Sequence, residues 1–299
     1  MPAIGIDLGG TYLRAALVDE HGNVLKRLRR PTAKSELNGL LADIATAIAE
    51  LHREAEEPFA IGIGAAGMID RTGAVRYSPN IPVLTGVDLA AELQVRCNSE
   101  VVVDNDANAA AWGELRFGAL REVRDGMVIT LGTGIGGGVI VNGALLRGAH
   151  GFAAEVGHFQ VAESGALCAC GVVGHWEAFA SGNALGAQAS HRYGEQLKGE
   201  DVVARAQRGE SVAEEVIDCY LDWVAVGCAG LINIFDPQVL AISGGLATLG
   251  DTFVEMLAER TMQRVEAPQV RSTLEICAAR LGSEAGMIGS AALAMEHAP

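Results

Sequence analysis

The chain has 299 residues, of which 49% are hydrophobic, and its formal net charge at pH 7 is −15. This length suits two domains, and this hydrophobic fraction argues against a disordered chain. The acidic surplus argues against a nucleic-acid partner, because phosphate backbones bind clustered lysine and arginine. The N-terminus has no basic region ahead of its first strand-like residues, so we expect a cytoplasmic protein with no membrane partner.

The first residues predict a hairpin that is repeated later in the chain. A strand at 3–7 is followed by the glycine turn LGGT, the strand YLRAALVD and, after a turn, a third strand. The same order of elements is repeated from Met127, with the strand MVIT, the turn LGTG and the strand GIGGGVIV, so that Gly132 corresponds to Gly9. This repeat indicates duplication of one unit, with two unrelated hairpins as the alternative. The uncharged stretch 126–146 holds seven glycines, which favours a hairpin over a membrane span.

Helices and strands alternate through the rest of the chain. Apolar residues at helical spacing predict a helix over 36–57, and other helices are predicted from about Asp88, over 106–117, over 212–235 and from about Glu284. The strands AIGIGAA, VVVDN and VLAIS lie between these helices. The pattern predicts an α/β fold with an N-terminal domain over 1–117, joined by a C-terminal helix over 284–299, and a larger domain over 118–283.

Three strands end in glycine turns, which read DLGGT, LGTGIGGG and SGGL. Glycine lets the backbone approach a ligand closely, and the bare N–H groups of such turns can bind phosphate. Two of the turns also carry a hydroxyl residue, Thr11 and Thr133, so the set predicts a nucleotide site. The chain has no G-x-x-x-x-G-K-[ST] loop. The run of Gly132, Gly134 and Gly137 has the G-x-G-x-x-G spacing but continues into a strand, so it is not a dinucleotide fingerprint.

A polar turn, Asp104-Asn105-Asp106, joins a strand to an alanine-rich helix. A single Asp or Asn at this position is by default the N-cap of the helix, and this is the alternative explanation. Three polar residues in a row exceed what one cap needs. Phosphoryl transfer to a hydroxyl requires a carboxylate that accepts the proton, a metal ion and donors to the phosphates. We therefore predict that Asp106 is the general base and that Asp7 lies on the Mg²⁺ side.

The segment CACGVVGHWE at 168–177 holds two cysteines one residue apart, followed by a histidine and a glutamate. Such a segment is compatible with a redox pair or with part of a metal site. The remaining four cysteines lie singly among apolar neighbours, which predicts small buried hydrophobic side chains at Cys97, Cys219, Cys228 and Cys277.

The motifs DLGGT, NDANAAAWGE, LGTGIGGG, EVGH and CACG occur in this order along the chain. In content and order they resemble the ROK family (repressors, open reading frames and sugar kinases), and the resemblance covers nearly the whole sequence. It implies the actin-like, hexokinase-like fold, in which two RNase H-like domains bind ATP and a sugar in the cleft between them. The repeated hairpin is what such a duplication would leave in the sequence.

The resemblance also implies roles for individual residues, with Asp106 as the catalytic base. The sugar would be bound by Gly67, Asn80, Asn105, Asp106, Glu155, His158 and Glu177. ATP and its Mg²⁺ would be bound by Asp7, Gly9, Gly10, Thr11, Thr133, Gly134, Gly244 and Gly245. Ala66 stands where many members have proline, so we expect a less stiff sugar loop in this chain.

In the family the cysteine cluster reads CxCGxxGC, and an upstream histidine completes a structural zinc site. His175 stands here in place of the last cysteine. The resemblance therefore implies a structural Zn²⁺ bound by His158, Cys168, Cys170 and His175, a tetrahedral set that zinc accepts. The redox alternative is disfavoured because CxC lacks the spacing and context of a thioredoxin motif.

The expected function is ATP-dependent phosphorylation of the 6-hydroxyl of a hexose, with glucose as the expected sugar and a homodimer as the state that the family suggests. Kinases of N-acetylmannosamine, N-acetylglucosamine or fructose share nearly all of these motifs, and some relatives use polyphosphate as the donor. A sugar-responsive transcriptional regulator is the alternative outside the enzymes. It is disfavoured because such regulators carry an N-terminal helix-turn-helix, whereas the first strand here starts at Ala3. A metal-binding scaffold without catalysis would leave Asp106 and the three glycine turns without a purpose.

Overall fold

The computed structural model describes residues 1–53, 60–245 and 251–297. Its strands, in chain order, are β1 Ala3–Leu8, β2 Tyr12–Val18, β3 Val24–Pro31, β4 Ala60–Ala65, β5 Met68–Ile69, β6 Ala74–Tyr77, β7 Val87–Asp88, β8 Val101–Asn105, β9 Gly126–Leu131, β10 Ile135–Val141, β11 Ala144–Leu145, β12 Val239–Ser243 and β13 Glu275–Ala278. Its α-helices are α1 Leu37–His52, α2 Leu89–Cys97, α3 Asp106–Phe117, α4 Glu177–Ala180, α5 Gly182–Tyr193, α6 Gly199–Gln207, α7 Ser211–Phe235, α8 Asp251–Met262 and α9 Ala285–His297.

The strands and helices predicted from the sequence are present, with small differences at their ends. The predicted helix over 36–57 is α1, which ends at His52, and residues 54–57 of that prediction lie outside the described residues. Leu246, the last residue of the SGGL turn, also lies outside them. The helix α4 and the strands β5 to β7 were not predicted, because segments of two to four residues carry little periodic signal. The longer helices α5 and α6 were not predicted either.

Two five-stranded sheets share one plan. Their strand orders are β3-β2-β1-β4-β8 and β11-β10-β9-β12-β13. In the first sheet β1 pairs antiparallel with β2 and parallel with β4, and in the second β12 pairs parallel with both β9 and β13. The hairpins β1–β2 and β9–β10 therefore occupy corresponding places, as the sequence repeat predicts. The stretch 126–146 forms strands of the second sheet, in agreement with the hairpin prediction.

The chain divides into two compact units. Unit 1 consists of Met1–Glu122, Gly138–Ala154 and Arg280–Pro299, and unit 2 consists of Val123–Gly137 and Glu155–Ala279. The boundary at residue 117 that we expect from the sequence stays a prediction.

In unit 1, alternate residues of β1 face opposite sides of the sheet, as the period of two requires. Ile4, Ile6 and Leu8 belong to a buried cluster with the apolar residues of α1 and α2. Ala3 belongs to a second cluster, which it shares with Met287 of α9. The sheet of unit 1 is thus covered on one face by α1 and α2 and on the other by α9.

Helix α9 packs on this sheet through glycines. Gly5 of β1 and Gly62 of β4 are partners in register, and a Cβ atom at either position would lie 1.8 Å from a backbone oxygen of α9. A Cβ at Gly289 of α9 would likewise lie 1.7 Å from the backbone oxygen of Ala109 in α3. Only glycine allows the backbones to approach so closely.

We expect Gly62→Ala to destabilise the protein by about 3 kcal/mol, because α9 must move away from β4 to make room for the methyl group. Urea unfolding measures the effect. Gly230→Ala is the matched control: it lies inside α7, its Cβ would meet the nearest atom of Phe159 at 3.7 Å, and alanine favours helix there. Equal stability of the wild type and Gly62→Ala would contradict the packing argument.

Among the described residues, one helix, α7, is long and apolar enough to cross a membrane by length and composition. Half of its most apolar window is buried inside the protein. Tyr220, Val224 and Cys228 lie on its buried side, and the Tyr220 hydroxyl donates to the backbone oxygen of Ala180 at 2.6 Å. A core helix passes the same test, so this helix is weak evidence for a membrane span.

Candidate active site

The polar turn between β8 and α3 is ordered by Asn105. Its side-chain oxygen accepts from the backbone N–H groups of Ala107 and Asn108 at 2.9 and 3.1 Å, which makes Asn105 the N-cap of α3. Asp106 is the first residue of the helix and is half-buried. The capping role is therefore filled by Asn105, and Asp106 is not needed for it.

The loop before β5 is tied to this turn through Gly67. The Asn105 side-chain amide donates to the Gly67 backbone oxygen at 3.0 Å. Gly67 has a φ of +134°, and a Cβ there would lie 2.4 Å from the backbone oxygen of Tyr77. No other residue fits this position, and the structure thus brings together two of the residues that we expect to bind the sugar.

Asn80 and the DLGGT turn form a second contact within unit 1. A Cβ at Gly10 would lie 3.0 Å from Cβ of Asn80, so the two backbones are close. The turn itself is closed by a hydrogen bond from Gly9 N–H to the Tyr12 oxygen at 3.1 Å, and the Thr32 hydroxyl donates to the Gly9 oxygen at 2.6 Å. Thr11 is exposed at its tip.

Two carboxylates of unit 1 interact electrostatically. Burial, and then the charge of Asp106, raise the pKa of Asp7 from 3.8 to about 6, although Arg14 lies 3.4 Å away and acts in the opposite direction. Burial also raises the pKa of Asp106, against the lowering effect of hydrogen bonds from Ala107 and Asn105. A raised pKa makes Asp106 a stronger base than an ordinary carboxylate, which suits acceptance of a proton near neutral pH. Such pairs of perturbed carboxylates are typical of functional sites.

We expect Asp7→Asn to increase the free energy of unfolding at neutral pH by about 1–3 kcal/mol. The pKa of Asp7 is raised in the folded state, so the ionised carboxylate disfavours folding at pH values above about 6. The gain should be roughly halved at pH 5 and nearly absent below about pH 3, where the carboxyl group is mostly protonated in the folded and unfolded chains alike. Urea unfolding of both proteins at several pH values tests this. A loss of stability at pH 7.5 would show that the ion pair with Arg14 outweighs the cost of burial.

In unit 2, the LGTG turn contacts the start of α5. The Gly132 N–H donates to the Gly134 oxygen at 3.0 Å, and the Gly182 N–H donates to the Gly132 oxygen at 2.7 Å. Gly244 follows β12 with a φ of +102°, and a Cβ there would lie 2.2 Å from the Leu131 oxygen. The structure thus brings the second and third glycine turns together. Thr133 and Gly245, two further residues of unit 2 that we expect to bind the nucleotide, are exposed.

A pocket of about 570 Å³ runs along α5 within unit 2. Residues on one face of α5 line it, among them Asn183, Ala187 and His191, together with Glu195 from the following loop. Asn183 also donates its N–H to the Thr133 oxygen at 3.4 Å, so the pocket starts beside the glycine turn.

Four side chains of unit 2 form a cluster with the chemistry of a metal site. The ligand atoms of His158, Cys168, Cys170 and His175 all lie within 4.8 Å of one another. Cys168 Sγ is 3.7 Å from His158 Nδ1, and Cys170 Sγ is 3.1 Å from His175 Nδ1. Two ligands on a tetrahedral zinc ion would be about 3.6 Å apart. The donor set therefore fits Zn²⁺, and burial raises the pKa of the Cys168 thiol to about 11, so that a cation is needed to hold the thiolate.

The backbone around the cluster forms a tight knuckle. The Cys168 N–H donates to the Val172 oxygen at 2.9 Å, and the Gly171 N–H donates to the Cys168 oxygen at 2.9 Å. Gly174 has a φ of +87°, and a Cβ there would lie 1.8 Å from the Ala162 oxygen. Both thiols are free, and each lies beside an imidazole, which favours a metal site over the redox pair.

Three of the predicted sugar residues lie in or beside this cluster. EVGH forms a 3-10 turn over Val156–His158, with Glu155 exposed and His158 half-buried. Cys168 Sγ lies 3.7 Å from Glu177 Oε1, and the other Glu177 oxygen accepts from the Ile135 N–H at 2.8 Å. Glu177 thus links the cluster to the glycine turn before β10, a contact that the sequence alone did not predict.

Two further features were missed by sequence reasoning. Glu114 in α3 is fully buried and accepts from the N–H groups of Ala119, Arg280 and Leu281 at 2.7, 3.1 and 2.8 Å. The signal available in the sequence for this buried carboxylate was a glutamate in an alanine-rich helix. In contrast, Cys219 is exposed, so the prediction of a buried side chain there is wrong: it lies on the outer face of α7.

The sequence profile of the ROK family matches residues 3–297, so the chain belongs to the ROK family. It is similar to the glucokinase of Streptomyces coelicolor, with 37% identity over 99% of this chain and 98% of the relative. It is also similar to the glucokinase of Thermotoga maritima, with 36% identity over 98% of this chain and 97% of the relative.

Solved structures agree with this membership. A ROK family glucokinase from Streptomyces griseus, in complex with glucose and AMPPNP, superposes with a TM-score of 0.90 at 36% identity, over 99% of this chain and 100% of that one. The ROK hexokinase from Thermus thermophilus gives 0.86 at 34% identity, over 99% of both chains. A ROK family transcriptional regulator gives 0.87 at 25% identity, over 98% of this chain and 78% of that one. The predicted hexokinase-like fold is thereby confirmed.

Proposed function

We propose that this protein is an ATP-dependent hexose kinase that transfers a phosphoryl group to the 6-hydroxyl of glucose. The observation that carries the proposal is the carboxylate of Asp106 at the start of α3, which accepts from the Ala107 N–H at 2.9 Å and stands beside an asparagine that already fills the capping role. The similarity to glucokinases, one of them solved with glucose and AMPPNP, supports the choice of sugar and donor.

In the proposed reaction, the sugar hydroxyl donates a hydrogen bond to Asp106. The carboxylate accepts the proton as the oxygen attacks the γ-phosphorus of ATP, and ADP leaves with the electron pair of the broken bond. The raised pKa of Asp106 helps it to accept this proton. We assign the binding of the other sugar hydroxyls to the set Gly67, Asn80, Asn105, Glu155, His158 and Glu177.

The glycine turns are proposed to bind the nucleotide through their backbone N–H groups. The residues assigned to this role are Asp7, Gly9, Gly10, Thr11, Thr133, Gly134, Gly244 and Gly245. The pocket along α5 starts beside Thr133 and has a volume that suits an adenosine group. Mg²⁺ would be held on the Asp7 side, where it neutralises phosphate charge when it is bound. The cytoplasmic location and the homodimer stay predictions.

We assign the cluster of His158, Cys168, Cys170 and His175 a structural role. Bound Zn²⁺ would close the loop over 158–175 and thereby fix His158 and Glu177. Glu177 accepts a hydrogen bond from Ile135, so the same cluster also supports the turn at Thr133.

A panel of sugars with purified protein, MgATP and a coupled assay for ADP tests the proposal. Glucose should give the highest kcat/KM. N-acetylhexosamines belong in the panel because the N-acetyl-D-glucosamine kinase of Salmonella typhimurium is 31% identical over 97% of this chain. Fructose and polyphosphate complete it, the latter because a polyphosphate/ATP-glucomannokinase from Arthrobacter has a TM-score of 0.68 at 26% identity. The kinase proposal fails if no sugar yields ADP above background, whereas a better sugar than glucose would change only the substrate.

A further inference from the structure

Asp104, directly before the proposed site, has a carboxylate that accepts three hydrogen bonds and forms an ion pair. Oδ2 accepts a hydrogen bond from Nε of Arg147 at 2.9 Å, and Nη2 of the same guanidinium lies 2.8 Å from Oδ2 in an ion pair. Oδ1 accepts from the backbone N–H of Asn105 at 2.7 Å and from the side-chain amide of Asn108 at 2.9 Å. The Asp104 side chain is only 9% exposed, and Asn108 is 1% exposed. A buried carboxylate bound this completely holds its donors in fixed positions.

The donors on Oδ1 frame the residues of the proposed site. Asn105 is the cap residue and Asn108 lies in the first turn of α3, so Asp106 stands in the sequence between two residues that donate to the same carboxylate. Asn105 in turn holds Gly67 through its own amide. A displacement of Asp104 would therefore move both Asp106 and the loop at Gly67.

Arg147 comes from a distant part of the sequence, in the loop after β11. The same loop is fixed on its other side by Arg71, whose Nε and Nη2 donate to the Gly148 oxygen at 3.2 and 2.5 Å. Among the described residues, Arg71 forms no hydrogen bond or ion pair with Asp104. The loop is thus held at two points, by Asp104 just before α3 and by Arg71 elsewhere in unit 1.

The charges in this region are paired selectively. Arg147 forms an ion pair with Asp104, and Arg14 lies beside Asp7. Among residues 1–53, 60–245 and 251–297, Asp106 forms no ion pair. Arg147 therefore holds the neighbouring carboxylate without occupying the one that must accept a proton.

We infer that Asp104 and Arg147 act as one positioning pair, which fixes Asp106 and Asn105 for phosphoryl transfer to the sugar. The inference rests on the proposed function for its kinetic consequence. Neither residue is a catalytic residue, since each acts through the α3 turn. A misplacement of a reacting group by about 1 Å can lower the rate about 100-fold.

The test compares Arg147→Gln with Arg71→Gln, the matched control that releases the same loop at its other anchor. Arg147→Gln should lower kcat for glucose about 100-fold and leave the KM for ATP within about twofold. Arg147→Lys keeps the charge with fewer donors and should restore part of the lost kcat. Arg71→Gln should leave kcat within about threefold. Assays are run well below the melting temperature of each variant, so that a purely structural role would lower Tm and leave kcat unchanged.

The double variant Asp104→Asn/Arg147→Gln shows whether the two residues act as a unit. It removes both charges, and its kcat should be no lower than that of the worse single variant. It also covers the case in which Arg147→Gln fails to fold, because it leaves no unpaired buried charge. Multiplying effects of the two substitutions would overturn the inference of a pair.

Hydrogen exchange provides a readout that does not require kinase activity. The N–H groups of Ala107 and Asn108, both bound by Asn105, should exchange at least about 10-fold faster in Arg147→Gln and at the wild-type rate in Arg71→Gln. If the wild type phosphorylates no sugar and exchange still rises, the positioning pair stands and the proposed function fails. If the wild type is active and neither exchange nor kcat changes in Arg147→Gln, the positioning pair is wrong.

Discussion

Asp106→Asn is expected to bind glucose and to lose about 10²–10⁴-fold in kcat. The amide has the shape of the carboxylate and can still hydrogen-bond to the sugar, but it cannot accept the proton of the 6-hydroxyl. Burial raises the pKa of Asp106 in the folded state, so its ionised form disfavours folding at neutral pH and the substitution should not lower Tm at pH 7.5. Calorimetric titration with glucose, a coupled kinase assay and thermal unfolding measure the three quantities.

Asp88→Asn is the matched control for this substitution. Asp88 caps α2 in the same unit and accepts from the Ala91 N–H at 3.0 Å, so its replacement tests what the same chemical change does at a cap. We expect kcat to stay near the wild-type value. If Asp106→Asn keeps more than a tenth of the wild-type kcat, Asp106 is not the base.

Protein purified without a histidine tag is expected to contain about one zinc ion per chain, bound by His158, Cys168, Cys170 and His175. Removal by a chelator should lower Tm and reduce kcat/KM by at least about 10-fold. The physical reason is the chain of contacts from Cys168 to Glu177 and from Glu177 to the Ile135 N–H, which ends at the glycine turn. Elemental analysis, thermal unfolding and the kinase assay are compared before and after chelation.

Cys170→Ser and Cys219→Ser separate a ligand from an ordinary exposed thiol. Both cysteines are exposed, but only Cys170 belongs to the cluster. Cys170→Ser should lower the zinc content well below one equivalent, and Cys219→Ser should leave it unchanged. His175→Cys should bind zinc more tightly, since thiolate is the stronger ligand. Full activity in a chelator with little zinc in the protein would show that the loop folds without metal.

The elements of the fold were largely predictable because their signals are local. Short apolar runs predict β1, β4 and β8, and the strand-to-helix turn at Asn105 places α3 at the bounds expected from the sequence. The repeated hairpin is also visible in the sequence, since both copies keep a glycine turn after the first strand. What these signals lack is the partner of each element across the chain. The contact of α9 with Gly5 and Gly62 depends on residues more than 220 positions apart, and no periodicity predicts it.

The candidate site was likewise only partly predictable from the sequence. Asp106, the glycine turns and the Cys–His cluster are short motifs, so their chemistry can be inferred from the sequence. The hydrogen bonds from Arg147 to Asp104 and from Leu281 N–H to Glu114 join segments that are distant in the sequence. The sequence alone does not indicate which residues these side chains contact. Ala154 adopts a left-handed φ of +69°, where glycine would be expected, and the sequence alone gives no sign of that backbone conformation.

Unit 1 is completed by the last segment of the sequence, because α9 covers the face of its sheet that α1 and α2 leave open. During synthesis, β1 to β4 leave the ribosome long before the helix that must lie against Gly5 and Gly62 has been made. The first sheet therefore cannot finish folding while the second half of the chain is still being translated. Until α9 has been made, the face of the first sheet that it covers, which is lined by alanine and glycine, stays accessible to other chains and to chaperones.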